Sequence, residues 1–248
     1  MPRMKTLAAA SVLLASALVA CKGGGDVTAK PAPTQTAAAA PAADKAWVTL
    51  FDGKDLSAFR GFRKDSVPPA WTVKDGCIVH ARSAGDHTAA GDLVTRDTYG
   101  SFELELQWKV TPGGNSGIFY HATEDTNNIW ENAPEMQILD DTTHNDGKDR
   151  LTCAGADYAL YPAPVGAVKP VGQWNQVRIV VQGMHIQYFL NGVKTCDFVR
   201  GSDDWKQRVS RSKFVKMPRY ATNTRGHIGL QDHGDEVWFR DIRVKPLD

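Results

Sequence analysis

The segment from Trp130 to Asp141 concentrates acidic and amide side chains that suit proton transfer. In a regular strand Glu135 and Gln137 share one face, whereas Asp140 falls on the opposite face. A β-bulge near Ile138–Leu139 would turn Asp140 to the same side. Two carboxyl groups beside an amide predict general acid–base chemistry on a sugar. The alternative is a solvated strand face that ends in an Asp–Asp turn.

A histidine beside a carboxylate marks a second candidate region, Gly226–Gly234. Alternation in this region directs Ile228 and Leu230 to the core and leaves Gln231 on the other face. His233 follows Asp232 at the start of the next turn. A neighbouring carboxylate holds a histidine in one tautomer near neutral pH, which suits a general base, although a histidine in a loop is commonly an ordinary surface residue.

A glycine-rich turn and a tryptophan supply candidate sugar contacts. Asn115 and Ser116 lie at the edge of the turn that begins at Thr111, where they either bind a hydroxyl or cap the turn. No helix follows this turn, so a phosphate-binding loop is excluded. Trp130 offers a flat apolar ring of the kind on which sugars stack.

The elements that must position these residues are strands. From Trp47 onward, short apolar or alternating runs are divided by turn signals at spacings of roughly 8 to 12 residues, which is typical of sandwiches. Phe102–Val110 alternates without a break, and its polar face is either solvent-exposed or part of a groove. Asp75-Gly76 predicts a hairpin within residues 71–80, and residues 177–199 predict a three-stranded meander.

No helix of ordinary length is predicted, because no helical periodicity stands out. A single all-β domain is therefore expected over residues 46–248, with about a dozen strands in two packed antiparallel sheets.

The N-terminus is typical of an export signal. Positive residues precede an apolar run from Leu7 to Ala20, which is too short for a comfortable membrane span. Leu18-Val19-Ala20-Cys21 resembles the lipobox of bacterial lipoproteins, so residues 1–20 are a predicted signal peptide and Cys21 a predicted lipidation site. The alternative is a plain secretory peptide in which Cys21 is incidental.

The following residues, 21–45, are rich in Ala, Pro and Gly and predict a flexible linker. Lys+Arg 29 against Asp+Glu 28 gives a net charge of +1 without a basic stripe, so no nucleic-acid partner is expected. Any membrane attachment is expected through the N-terminal lipid alone. The expected location is the periplasmic or cell-surface side of a bacterial membrane. Lys22, in place of an aspartate after Cys21, favours the outer membrane.

Several sequence blocks occur in a fixed order between Leu50 and Lys245. They are LFDGKDLSAF (50–59), GNSGIFY (114–120), PEMQILDD (134–141), AGADYALYP (154–162), GQWNQVRIVVQGMHI (172–186), LNG (190–192), SKF (212–214) and GHIGLQDHGDEVWFRDIRVK (226–245). Together they resemble the bacterial 3-keto-disaccharide hydrolase family. The resemblance implies a concanavalin A-like jelly-roll sandwich and a sugar substrate that carries a ketone at C3.

The implied chemistry differs from ordinary glycoside hydrolysis. A C3 ketone acidifies the C2 proton, so a base can form an enolate, the C1 substituent can leave, and water can add to the product. His144 or His233 is then the expected base, while Glu135 and Asp140 assist proton transfer or hold a divalent metal. The residues expected to bind substrate are Asn115, Gln137, Gln231, Trp130 and Tyr158.

Two other functions fit the same resemblance. Glu135, Gln137 and Asp140 also resemble the three inward positions of the bulged catalytic strand in laminarinase-type β-glucanases. The amide of Gln137 replaces one glucanase carboxylate, which argues against an ordinary retaining glycosidase. A non-catalytic carbohydrate-binding module of the same fold is the second alternative.

Overall fold

The computed structural model describes residues 45–82 and 91–248. Within these residues the chain forms thirteen strands. They are β1 (Val48–Phe51), β2 (Phe59–Gly61), β3 (Trp71–Lys74), β4 (Cys77–His80), β5 (Leu93–Thr95), β6 (Phe102–Val110), β7 (Asn115–Ala122), β8 (Glu135–Leu139), β9 (Asn175–Gln182), β10 (His185–Leu190), β11 (Val193–Val199), β12 (His227–Leu230) and β13 (Val237–Pro246). The predicted signal peptide, the lipidation site at Cys21 and nearly all of the predicted linker lie outside the described residues.

Two antiparallel sheets form the body of the protein. The larger has the strand order β11-β10-β9-β6-β13-β4-β3, with β1 also paired to β13, and the smaller has the order β2-β5-β12-β7-β8. Their facing side chains form one large core, in which Trp108, Tyr120 and Phe239 are almost fully buried. Burying each such side chain contributes about 1.5–3 kcal/mol. The all-β sandwich that the sequence predicts is confirmed.

The strand β6 shows how alternation divides core from surface. Its even-numbered residues from Phe102 to Val110 are buried, and its odd-numbered residues are partly exposed. On the outer face, Glu103 lies 2.8 Å from Arg178 on the neighbouring strand β9. The polar face of β6 is therefore a charged outer surface and does not line the cavity described below.

Glycine-containing turns fix the register of the hairpins as predicted. Asp75 and Gly76 have φ angles of 52° and 72°, and Asn191 and Gly192 have φ angles of 52° and 82°. Positive φ at both central residues matches the twist of the flanking strands. The meander over β9, β10 and β11 is thereby confirmed.

One helix contradicts the expectation that none of ordinary length exists. Helix α1 (Asp203–Arg211) begins where the Ser202 hydroxyl accepts a hydrogen bond from the Trp205 N–H at 3.2 Å. Only Trp205 of this helix is buried, so the apolar periodicity that signals most helices is nearly missing. The cap residue and the two aspartates of the first turn were the available signals. Among the described residues, no helix has the length and apolar character needed to cross a bilayer.

Candidate active site

A cavity of about 330 Å³ gathers most of the predicted site residues. Seven of them line it: Asn115, Trp130, Glu135, Gln137, Tyr158, Gln231 and His233. Three further lining residues, Asp146, Lys213 and Met217, were not predicted. Residues from six separate stretches of the chain therefore meet around one space.

The ladder between β7 and β8 positions the acidic and amide residues. Gly117 lies opposite Gln137, and Phe119 lies opposite Glu135, with no shift of register along the pair. Glu135 and Gln137 consequently project from the same face of β8. Gly117 leaves the space that the Glu135 side chain occupies, because a Cβ at position 117 would lie 2.7 Å from the Glu135 Cδ.

Burial sets the protonation of Glu135. The residue is only 6% exposed, and burial raises the pKa of its carboxyl group to about 8. The neighbouring carboxylates of Asp92 and Asp157 act in the same direction, whereas Lys213 and a hydrogen bond from Gln231 oppose them. Glu135 is therefore mostly protonated at neutral pH and can donate a proton into the cavity.

Three amide oxygens in the cavity have no hydrogen-bond partner within the described part of the protein. They are the Oδ1 of Asn115 and the Oε1 atoms of Gln137 and Gln231, all of them buried. An unpaired buried acceptor costs about 1–3 kcal/mol, so native proteins rarely leave several together. A ligand that carries several hydroxyl groups would satisfy them.

His233 lies at the exposed rim of the cavity beside a carboxylate. Its Nδ1 is 3.8 Å from the Oδ2 of Asp235, and the same oxygen accepts a hydrogen bond from the Asn115 backbone N–H at 3.2 Å. Asp235 thus connects the histidine to the start of β7. This arrangement suits a base whose ring is oriented by a neighbouring negative charge.

A buried ion pair anchors the loop that carries Gln231 and His233. The Nε2 of the fully buried His80 lies 2.9 Å from the Oδ1 of Asp232, and its Nδ1 is 2.9 Å from the Asp235 carbonyl oxygen. Burial alone would lower the pKa of His80, but these two acceptors outweigh it and raise that pKa. Burial would likewise raise the pKa of Asp232, yet His80 and two backbone N–H groups hold it at about 2.

Asp140 does not join the other predicted residues. The expected bulge near Ile138–Leu139 is wrong, because β8 pairs in continuous register with β7 up to Leu139. Asp140 follows the strand and lines a different cavity. Its carboxylate accepts hydrogen bonds from the backbone N–H groups of Gly113 at 2.8 Å and Thr142 at 3.0 Å, and from the Thr143 hydroxyl. These bonds close the turns that flank β7 and β8.

His144 also lies outside the cavity lining. Its ring centroid is 6.4 Å from that of His233, and its Nδ1 accepts a hydrogen bond from the Asp146 N–H at 3.1 Å. This bond caps the short 3-10 helix Asn145–Lys148. Of the two predicted bases, the structure brings only His233 into the cavity.

The three unpredicted lining residues come from short helical segments distant in sequence. Asp146 accepts a hydrogen bond from the Tyr158 hydroxyl at 3.3 Å, and Lys213 begins the 3-10 helix Lys213–Lys216. Neither shows a spacing relation to the strand residues, so only the short Ser-Lys-Phe block at 212–214 pointed to this region.

Two carboxyl groups, those of Glu135 and Asp140, were expected to hold a divalent metal if one is bound. Glu135 lines the cavity described above, whereas Asp140 lines a different one. Across residues 45–82 and 91–248, no three or more His, Cys, Asp and Glu side chains are grouped as metal ligands. A metal therefore remains a prediction from the sequence.

Comparisons with known proteins agree with the fold and the sequence blocks. The sequence profile of the 3-keto-alpha-glucoside-1,2-lyase-like domain matches residues 46–245. A 3-keto-disaccharide hydrolase from Bacteroides thetaiotaomicron is 39% identical over 228 residues, which cover 82% of this chain and 79% of that protein.

Two crystal structures of proteins from Parabacteroides distasonis ATCC 8503, both provisionally assigned as glycosyl hydrolases, are also similar. Each is 32% identical and aligns with 82% of this chain. The first superposes with a TM-score of 0.74 over 94% of its own chain, and the second with 0.62 over its full length.

Proposed function

The chain belongs to the 3-keto-alpha-glucoside-1,2-lyase-like family, and from this membership we propose that it cleaves the glycosidic bond of a 3-keto glycoside. The observation that carries the proposal is the shared cavity of Glu135, His233 and the three unpaired amides. It combines a buried proton donor, an oriented base and acceptors for sugar hydroxyls. The 3-keto-disaccharide hydrolase relative supports a sugar of this class as substrate.

In the proposed reaction the C3 ketone lets the sugar lose its C2 proton. His233 takes that proton, and the electron pair of the broken C–H bond delocalises onto the C3 oxygen as an enolate. The enolate then expels the C1 substituent, Glu135 protonates the leaving glycosidic oxygen, and a C1–C2 double bond forms. Addition of water across this double bond completes net hydrolysis.

The amides hold the sugar during these steps. Asn115, Gln137 and Gln231 line the same cavity as Glu135 and have unpaired oxygens that can accept hydrogen bonds from hydroxyl groups. Trp130 at the rim is 37% exposed and offers its ring to a sugar face. Binding by several fixed groups places the C2 proton and the leaving oxygen against the base and the acid.

Exchange of the C2 proton separates the two catalytic roles. In D2O, wild-type protein is expected to exchange and cleave a 3-keto glucoside and to leave the parent glucoside intact. Glu135→Gln is expected to retain C2 exchange but to release an alkyl alcohol about 10²–10⁴-fold more slowly, because the proton donor is lost. Release of nitrophenolate, which needs no protonation, should be far less affected. His233→Gln should lose both exchange and cleavage.

His185 provides the matched control, since it is an exposed histidine whose Nε2 lies 2.7 Å from Asp197 and which does not line the cavity. His185→Gln is expected to behave as wild type. Loss of exchange in His144→Gln but not in His233→Gln would transfer the role of base to His144. Cleavage of the parent glucoside alone would support a glucanase-like hydrolase, and sugar binding without turnover of either substrate would support a binding module.

Export and lipid attachment are proposed from the sequence alone. The apolar run and the lipobox-like residues before Cys21 support delivery to the periplasmic or cell-surface side of a bacterial membrane, with the outer membrane favoured. Cys21→Ser is expected to move the protein from the membrane fraction to the soluble periplasmic fraction. Continued membrane association of that variant would contradict lipidation at this residue.

A further inference from the structure

Lys213 is held at the cavity by a rigid aromatic support. It directly follows Ser212, whose hydroxyl accepts a hydrogen bond from the Phe214 N–H at 3.1 Å and so caps the 3-10 helix Lys213–Lys216. The Phe214 ring stacks on Tyr220 with centroids 3.7 Å apart, and Tyr220 is buried. The backbone of Lys213 is therefore fixed to the core.

The Lys213 ammonium group lies among three aromatic rings, two of which, those of Tyr158 and Trp130, line the cavity. Its Nζ is 4.3 Å from the centroid of Tyr158, 5.3 Å from that of Phe214 and 5.9 Å from that of Trp130. Within the described residues it has no hydrogen-bond or ion-pair partner. An ammonium group carries three donors, so its hydrogen-bonding capacity is available to a ligand.

Burial and the neighbouring carboxyl groups act in opposite directions on the pKa of Lys213. Displacement of water by the surrounding groups lowers the pKa of its ammonium, while the carboxyl groups of Glu135 and Asp146 act in the opposite direction. Lys213 is also the only lysine or arginine among the described residues that line the cavity. No other permanent cation there can meet a negative charge on a bound ligand.

We propose that Lys213 binds the C3 oxygen of a 3-keto sugar and stabilises the enolate that forms when the C2 proton leaves. This inference rests on the proposed function and adds to it the group that makes the proton removable. The enolate concentrates negative charge on one oxygen, and a cationic donor placed beside that oxygen stabilises the charge more strongly in the transition state than in the ground state. Lys213 remains an ammonium group throughout, and no covalent bond between its nitrogen and the sugar forms or breaks.

Two substitutions and one control test this role in the full-length protein. Lys213→Met should lower both the C2 exchange rate and kcat about 100- to 1000-fold, which is the usual effect of removing one such donor. Lys213→Arg keeps a cation and donors and should recover at least about tenfold of the loss. Lys216→Met lies on the same 3-10 helix, does not line the cavity, and should match wild type. Thermal unfolding should be alike in all three variants.

The readouts separate this role from the others. Lys213→Met should lose exchange, whereas Glu135→Gln should keep it, since only the former acts before the leaving group departs. A C2 exchange rate in Lys213→Met within about threefold of wild type would overturn the role of Lys213 and leave the proposed function intact. Wild-type cleavage restricted to the parent glucoside would overturn both this inference and the proposed function. Trapping of a covalent Lys213–sugar adduct by borohydride would show that Lys213 forms an iminium with the ketone. That result would also overturn the proposed hydrogen-bonding role.

Discussion

Gly117→Ala should impair catalysis although residue 117 does not line the cavity. The backbone of Gly117 does not have a positive φ angle, so alanine is sterically allowed there by the main chain. The added Cβ would nevertheless lie 2.7 Å from the Cδ and 2.8 Å from the Cγ of Glu135. Ordinary carbon contacts need about 3.5–4.0 Å, so the Glu135 side chain must move by about 1 Å.

This displacement sets the expected size of the effect. A misplacement of about 1 Å can lower a rate about 100-fold, and overpacking costs about 1–3 kcal/mol, partly offset by the stabilising effect of alanine over glycine. We therefore expect kcat for release of an alkyl alcohol to fall about 100-fold. The unfolding temperature should fall by only about 2–8 °C.

A double-mutant cycle tests whether the effect passes through Glu135. Gly117→Ala is measured in wild-type protein and again in the Glu135→Gln background, by alcohol release and by C2 exchange. If Gly117 serves only to make room for a correctly placed carboxyl group, Gly117→Ala should hardly change the rate of alcohol release in the Glu135→Gln background, where that carboxyl group is already gone. An equal loss in both backgrounds, or wild-type kcat in Gly117→Ala, would refute the reasoning.

Three further outcomes follow from the electrostatics. In the proposed mechanism the protonated form of Glu135 is the active one, so kcat/KM with an alkyl leaving group should fall as pH rises through about 8, and Glu135→Gln should lack this descending limb. Asp140→Ala should lower the free energy of unfolding in urea by about 1.5–3 kcal/mol, because its hydrogen bonds to backbone N–H groups are lost. Its kcat should stay within about threefold of wild type, and a larger loss of kcat would show that Asp140 takes part in catalysis. His80→Phe leaves Asp232 without its cation and should destabilise the fold by about 3–5 kcal/mol. Folding raises the pKa of His80, so the stability that the His80–Asp232 pair contributes is present below about pH 6.5 and is lost as pH rises through the pKa of His80 in the folded protein. Urea unfolding of the wild-type protein should show this loss of stability, and that of His80→Phe should not.

Local patterns were sufficient to predict the strand residues of the site. Glu135 and Gln137 have period-two spacing, and a regular strand places them on one face whatever the rest of the chain does. Positive φ angles at Asp75-Gly76 and Asn191-Gly192 likewise follow from residue type. These features depend on near neighbours, which is why the sequence alone could predict them.

The remaining residues depend on contacts between distant segments. The sequence alone could not show whether a bulge or a turn sets the direction of the Asp140 side chain. In the structure its carboxylate is held by the backbone N–H group of Gly113, which lies before β7, and by that of Thr142, which lies in the turn after β8. Lys213 reaches the cavity because Phe214 stacks on Tyr220. No periodicity records such packing, so a short helical segment with one buried ring is indistinguishable from a surface loop in the sequence.

The charges in the cavity favour an enolate over an oxocarbenium ion. A retaining glycosidase needs a second carboxylate close to the first to stabilise positive charge at C1. At the next position on the same face of the strand as Glu135 this protein has the amide of Gln137, and Asp140 lines another cavity. The remaining carboxylate, Asp146, accepts a hydrogen bond from Tyr158. Lys213 would destabilise positive charge at C1, whereas it stabilises negative charge at the C3 oxygen. Lys213→Met should therefore slow cleavage of a 3-keto glucoside, and unchanged or faster cleavage of that 3-keto glucoside by the variant would reverse the assignment.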